Sequence, residues 1–177
     1  KVYRSFDHIT KQIDKTILER ELERYVIELS WKSSKIEGNT YTLLETESLI
    51  KQGIEAKGKS KDEAKMILNH KEAFKLILEH KNKFNNLKKR DLLELHNVLI
   101  KDLNISSGIR KHAVGITGTT YQPQNHDWEL IESLDRAIEL IHQIEYPLEK
   151  AITLATLISY IQPFADGNKR TARMIAN

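Results

Sequence analysis

The sequence predicts an all-α, mainly helical fold with one short β-hairpin. Glycine and proline are sparse, at 7 and 3 among 177 residues, which argues against a sandwich or barrel. Apolar residues recur at intervals of three and four along most of the chain, the stripe of an amphipathic helix. Alternation with period two is confined to residues 114–121. The length suits one sizeable core, read as an N-terminal helical region over 1–58 followed by a core over 59–177.

The elements follow in order. Ile9, Ile13, Ile17, Leu18, Leu22, Tyr25, Val26 and Leu29 form the stripe of a first helix over 6–30. It continues, with or without a break, to Gly38 and Asn39, two residues that tolerate the left-handed conformation of a helix stop. Thr42 and Glu45 make a capping-box pattern for a helix over 42–56, closed by Gly58. Ser60 or Asp62 opens the next, through Met66, Ile67, Ala73, Phe74, Ile77 and Leu78 to about His80. Lys81 to Asn86 reads as loop, and Leu92, Leu93, Leu95, Leu99, Ile100 and Leu103 mark a helix from about 88 to 103. Ser106 to Arg110 is a connector. Val114-Gly115-Ile116 and Thr119-Thr120-Tyr121, either side of Thr117-Gly118, predict the hairpin. Asp127 begins a helix with Ile131, Leu134, Ile138 and Ile141 on one face. Pro147, at a favoured first-turn position, starts another. Its residues Leu148, Ala151, Ile152, Ala155 and Ile158 carry so little charge that it is expected to be central, and Pro163 ends it at Ile161. Phe164 is expected to be anchored beneath the loop that follows.

Composition narrows the function. With no cysteine there is neither disulfide nor thiolate chemistry, which suits a reducing, cytoplasmic location. Charged residues make up 30% and nearly cancel to +3, a balance that says little about nucleic acid, and such a partner is expected only with a further domain outside this chain. The basic run Lys81 to Arg90 reads as a solvated turn. No apolar run approaches the roughly 20 residues that span a bilayer. The seven histidines show no metal-ligand spacing, and no glycine-rich nucleotide motif occurs. The sequence opens on Lys1 and stops inside a helical pattern, so the core is expected to be cut short at its C-terminus.

The chemistry is concentrated in the last sixteen residues, Gln162-Pro163-Phe164-Ala165-Asp166-Gly167-Asn168-Lys169-Arg170-Thr171-Ala172-Arg173-Met174-Ile175-Ala176-Asn177. Asp166-Gly167-Asn168 stands where a helix begins. Arg170 and Arg173, three apart, share one face of it. A helix start offers unpaired N–H groups and the positive end of a dipole, so this is a phosphate cradle. Asp166, a hard oxygen ligand, is placed to hold magnesium against the same phosphates.

This run resembles the active-site motif of the Fic (Fido) family, His-Pro-Phe-x-Asp/Glu-Gly-Asn-Gly/Lys-Arg-x-x-Arg, and departs from it only at Gln162. The resemblance implies a Fic-like helical domain over the core, with Gly167, Asn168, Arg170 and Arg173 binding ATP and Asp166 binding magnesium. In the family the histidine takes the proton of a target hydroxyl that attacks the α-phosphate of ATP. A glutamine amide cannot do so. Ser33-x-x-x-Glu37-Gly38 resembles the inhibitory motif of self-inhibited Fic proteins, whose glutamate pairs with the second arginine of the cradle, here Arg173. That places an inhibitory helix in the N-terminal region. Residues Val114, Gly115, Ile116, Thr117, Gly118, Thr119 and Tyr121 resemble the Fic flap, which holds an extended target segment by main-chain pairing.

The resemblance therefore implies a protein adenylyltransferase, self-inhibited by Glu37, with activity lost or much reduced by Gln162. A non-catalytic, ATP-responsive regulatory module is the alternative, and whether the chain is an enzyme is left open. So are the target protein, self-modification and a homo-oligomer.

Overall fold

The computed structural model describes residues 14–116 and 118–177. Among them are eight helices: α1 (Lys15–Ile36), α2 (Leu43–Gln52), α3 (Lys61–Glu79), α4 (Lys81–Asn85), α5 (Lys89–Leu99), α6 (Asp127–Gln143), α7 (Pro147–Ile161) and α8 (Asn168–Ala176). No helix of the described residues is long and apolar enough to cross a membrane. The first part of the predicted first helix, with Ile9 and Ile13, lies outside the described residues.

Local chemistry sets most boundaries. Asp14 caps α1 by accepting the Thr16 N–H at 2.8 Å. Its far end is a Schellman stop: Gly38, at φ +91°, donates to Lys35 C=O, and Asn39 N–H reaches back to Ser34 C=O. Thr42 with Glu45, and Ser60 with Glu63, form reciprocal capping boxes at the starts of α2 and α3. Pro147 opens α7 in its first turn.

The helices pack in two connected groups. Against α1, α2 and α3 lies a cluster of Ile27, Tyr41, Leu49, Ile50, Ala64 and Ile67. A larger cluster under α6, α7 and α8 includes Leu134, Ile138, Leu154, Ile158, Phe164 and Ala172. Ala73 and Phe74 of α3, Leu95 and Leu99 of α5 and Met174 of α8 join the two. The last helix is thus held by both groups, which brings the end of α1 beside α8.

Four expectations are corrected. Helix α2 stops at Gln52, because Gly53 turns to φ +70°, and does not reach Ala56. Lys81–Asn85, read as loop for its polarity, forms the short helix α4. Helix α7 is apolar on two faces but buried on one: Leu154 and Ile158 are inside, while Leu148 and Ile152 are exposed, so it is not central. Residues 114–121 form no ladder among the described residues. A single bond from Thr119 N–H to Ile116 C=O closes a turn. Alternation alone does not make a hairpin where no third strand or packed face supports it.

Candidate functional site

The loop between α7 and α8 is set by backbone geometry first. Gln162 takes the left-handed conformation, φ 51° and ψ 57°, and caps α7 with its N–H on Ile158 C=O. Its side-chain amide turns back to donate to Ser159 C=O at 2.6 Å. Phe164 is fully buried and stacks on His96 of α5, ring centres 3.7 Å apart. Asn168 closes the loop from the other side, accepting from Phe164 N–H at 2.9 Å and donating to Phe164 C=O at 2.8 Å. Both ends of its amide thus serve to shape the loop.

His96 holds the next residue. Its Nε2 lies 2.9 Å from Asp166 C=O, and a carbonyl only accepts, so Nε2 carries the proton. Gly167 follows at φ +80°. A Cβ there would stand 3.3 Å from Ile100 Cγ2 and 3.4 Å from His96 Nε2, so the conformation favours glycine and the space is tight for a side chain.

Helix α8 begins with Thr171 N–H on Gly167 C=O, leaving the amides of Asn168, Lys169 and Arg170 without an intrahelical partner. Asp166 accepts from Gly167 N–H at 2.5 Å and from Arg170 Nη2 at 2.9 Å. The sequence suggested two guanidinium groups side by side on one face. Instead Arg170 points inward, 2% exposed, and its Nε and Nη1 have no hydrogen-bond partner. Its charge is felt by His70 and His96, both also held neutral by burial. It therefore lies under the cradle as a buried positive charge.

Arg173 is the less buried of the two guanidinium groups, 25% exposed against 2% for Arg170, and α1 meets it. Its Nη2 donates to Glu37 Oε1 at 2.5 Å and to Ser33 C=O at 3.3 Å, while Nε donates to Ser33 Oγ at 3.0 Å. Glu37 sits at the negative end of the α1 dipole, an unfavourable place for a carboxylate. Arg173 offsets that cost. Glu37 also lines a cleft of about 190 Å³ with Val114, Gly115, Ile116, Gln162, Ala165, Asp166, Asn168 and Lys169.

Residues 86–177 match the family model for the Fic/DOC family. This chain belongs to the Fic/DOC family. Protein adenylyltransferase Fic of Drosophila melanogaster is 28% identical over 150 residues, 83% of this chain and 30% of that protein. The protein of the same name from Culex quinquefasciatus is 30% identical over 169 residues, 93% of this chain and 34% of its own. The chain thus spans about a third of the length of these curated relatives. Two solved structures share the fold. A Fic family protein from Desulfovibrio desulfuricans has a TM-score of 0.78 at 20% identity, over 99% of this chain and 54% of that one. A Fic domain containing signalling protein from Bacteroides thetaiotaomicron has a TM-score of 0.79 at 22% identity, over 94% and 66%.

The structure of this Fic chain brings Ser33, Glu37 and Arg173 into contact, and Val114, Gly115 and Ile116 line the same cleft as Glu37. Gly38 serves the turn behind Glu37. Gly118 and Thr119 lie in the exposed turn, and Tyr121 stacks on Tyr160 at 4.4 Å, tying this segment to the end of α7. Thr117 lies outside the described residues. Burial and the neighbouring Tyr160 hydroxyl push the Tyr121 phenol up to about 12.

Three further residues, none of them among the predicted site residues, hold the site together. Arg110 is buried and donates to Gln162 C=O at 2.6 Å, His112 C=O at 2.7 Å and Gln124 C=O at 2.5 Å. His96 fixes the loop. His70, on α3, is fully buried between Met66 C=O at 2.7 Å and Ser33 Oγ at 2.8 Å. Only their isolation within helical or connector sequence was legible.

Burial lowers the His70 pKa from 6.5 to about 4. Above pH 6.5 the imidazole is neutral in folded and unfolded chains alike. As pH falls towards 4, the unfolded chain takes up a proton that the folded one refuses, so stability is lost across that window. From pH 7 to 5 the expected loss through His70 is about 2 kcal/mol. Urea midpoints should show a correspondingly shallower pH dependence in His70→Gln. Identical slopes in the two chains would contradict the assignment.

Proposed function

We propose that this chain is the helical core of a Fic-type protein adenylyltransferase, self-inhibited by Glu37, in which transfer is lost or much reduced because glutamine stands at position 162. The observation that carries this reading is the contact of Glu37 with Arg173 across 136 positions of sequence, on the helix that opens on the anion cradle. ATP is the proposed donor. Its triphosphate lies against the free amides of Asn168, Lys169 and Arg170, above the buried charge of Arg170, and its outermost phosphate takes the place of the Glu37 carboxylate on Arg173. The small volume of the cleft supports an inhibited state, since sites for whole small molecules run to about 300–1,000 Å³.

In the proposed reaction a target hydroxyl oxygen bonds to the α-phosphorus while the bond to the bridging oxygen breaks. AMP passes to the target and pyrophosphate leaves. The hydroxyl proton needs an acceptor at position 162. Asp166 would hold a magnesium ion, which would supply positive charge to neutralise the phosphates. The residues fit an ion that arrives with ATP: Asp166 offers one exposed carboxylate, and no cluster of three acidic or histidine groups occurs among the described residues. The flap segment supports docking of an extended protein target, because the backbone of Val114, Gly115 and Ile116 has no strand partner among the described residues. The chain itself is one candidate target.

One observation favours the non-catalytic reading, an ATP-responsive regulatory module. The Gln162 amide is turned onto Ser159 C=O and so serves the helix end. Both readings require nucleotide on Arg173. In a chain carrying Glu37→Gly, the further change Arg173→Gln is expected to weaken Mg-ATP binding about 10–100-fold by loss of charge-assisted bonds. Equal affinity in the two chains, read by titration calorimetry, would remove the nucleotide site from this helix.

A further inference from the structure

The inhibitory contact rests on a chain of hydrogen bonds whose direction can be assigned from end to end. Met66 C=O, 2.7 Å from His70 Nδ1, can only accept, so Nδ1 carries the proton. The buried imidazole is neutral, so Nε2 holds a lone pair and accepts the Ser33 hydroxyl proton at 2.8 Å. With its one proton spent there, Ser33 Oγ presents lone pairs to Arg173 Nε–H at 3.0 Å. The same guanidinium then reaches Glu37. Ser34 Oγ, at 3.4 Å from Nδ1, lies beside the first link.

We infer that His70 is a positioning residue for self-inhibition: it holds the Ser33 hydroxyl as an acceptor for Arg173 and so keeps that guanidinium turned towards Glu37. The inference rests on the proposed inhibitory role of Glu37 and extends it to a third helix. Ser33 alone does not achieve this. A serine in a helix ordinarily bonds the carbonyl one turn back, a rotamer chosen by its own helix and not by Arg173. His70 supplies the competing acceptor, from a position fixed by its bond within α3. The described arrangement gives Arg173 three acceptors on one turn of α1: Ser33 Oγ, Ser33 C=O and Glu37. Only the first depends on a residue outside that turn.

The test is Mg-ATP affinity, by titration calorimetry, for His70→Leu and His70→Gln in chains with and without Glu37→Gly. His70→Leu should tighten binding about 5- to 10-fold while Glu37 is present and leave it unchanged once Glu37 is gone. His70→Gln places an acceptor oxygen near the position of Nε2 and should keep the native affinity. Ser33→Ala breaks the next link, should reproduce the His70→Leu pattern, and decides the matter if His70→Leu does not fold. An effect of equal size in both backgrounds, no effect where Glu37 is present, or loss of inhibition in His70→Gln would overturn the role of His70. If Glu37→Gly itself fails to tighten binding, the inhibitory reading falls first, an outcome readily told apart from the others.

Discussion

Gln162→His, in a chain that also carries Glu37→Gly, is expected to raise AMP transfer from ATP by about 10²–10⁴-fold, the usual contribution of a positioned general base. That corresponds to roughly 3–5 kcal/mol of barrier. The backbone favours the exchange: position 162 is left-handed at φ 51°, a region in which histidine is among the enriched residues. The loop around it is fixed by Arg110, His96 and Asn168, none of which depends on the side chain at 162. The measurement is incorporation of α-phosphate-labelled ATP into the chain or a protein target. Label in the double variant alone supports a dormant transferase. Absence of label in a chain that binds ATP would favour the regulatory module.

Arg110→Met is expected to cost about 3–5 kcal/mol of stability, because it leaves three carbonyl acceptors without their donor. Arg110 is 3% exposed, forms no ion pair among the described residues, and has its charge stabilised by the carbonyl dipoles of Gln162, His112 and Gln124. Its backbone N–H also donates to Pro163 C=O at 3.0 Å. One residue therefore ties both ends of the 112–124 segment to the loop between α7 and α8. Urea unfolding should show the loss of stability, and hydrogen exchange should show residues 112–124 opening first. A change below about 1 kcal/mol would mean that the carbonyls find other donors.

These two sites differ in how far they could be foreseen. Residues 162–173 announce an anion site through types whose chemistry is local: glycine at a helix start, an acid before it, arginines after it. The stops and starts at Gly38, Thr42, Ser60, Pro147 and Pro163 are likewise written in neighbouring residues, and each is where the sequence puts it. Gly53 is not distinguished as a stop by spacing alone, because Ile54 and Ala56 continue the apolar pattern, although Ile54 is exposed. Arg110, His70 and His96 act on partners 52, 37 and 70 positions away. Nothing within a turn of them marks that use. The inward turn of Arg170 has the same cause, since the histidine-lined space it enters is built by α3 and α5.

The account depends most on competition between the Glu37 carboxylate and an outer phosphate for Arg173. Titration of ATP and of ADP, each with magnesium, into the native chain and into Glu37→Gly measures it directly. Removing the carboxylate should tighten ATP about tenfold or more and leave ADP nearly unchanged, since only the triphosphate reaches the contested guanidinium. Equal ATP affinity in the two chains would contradict it.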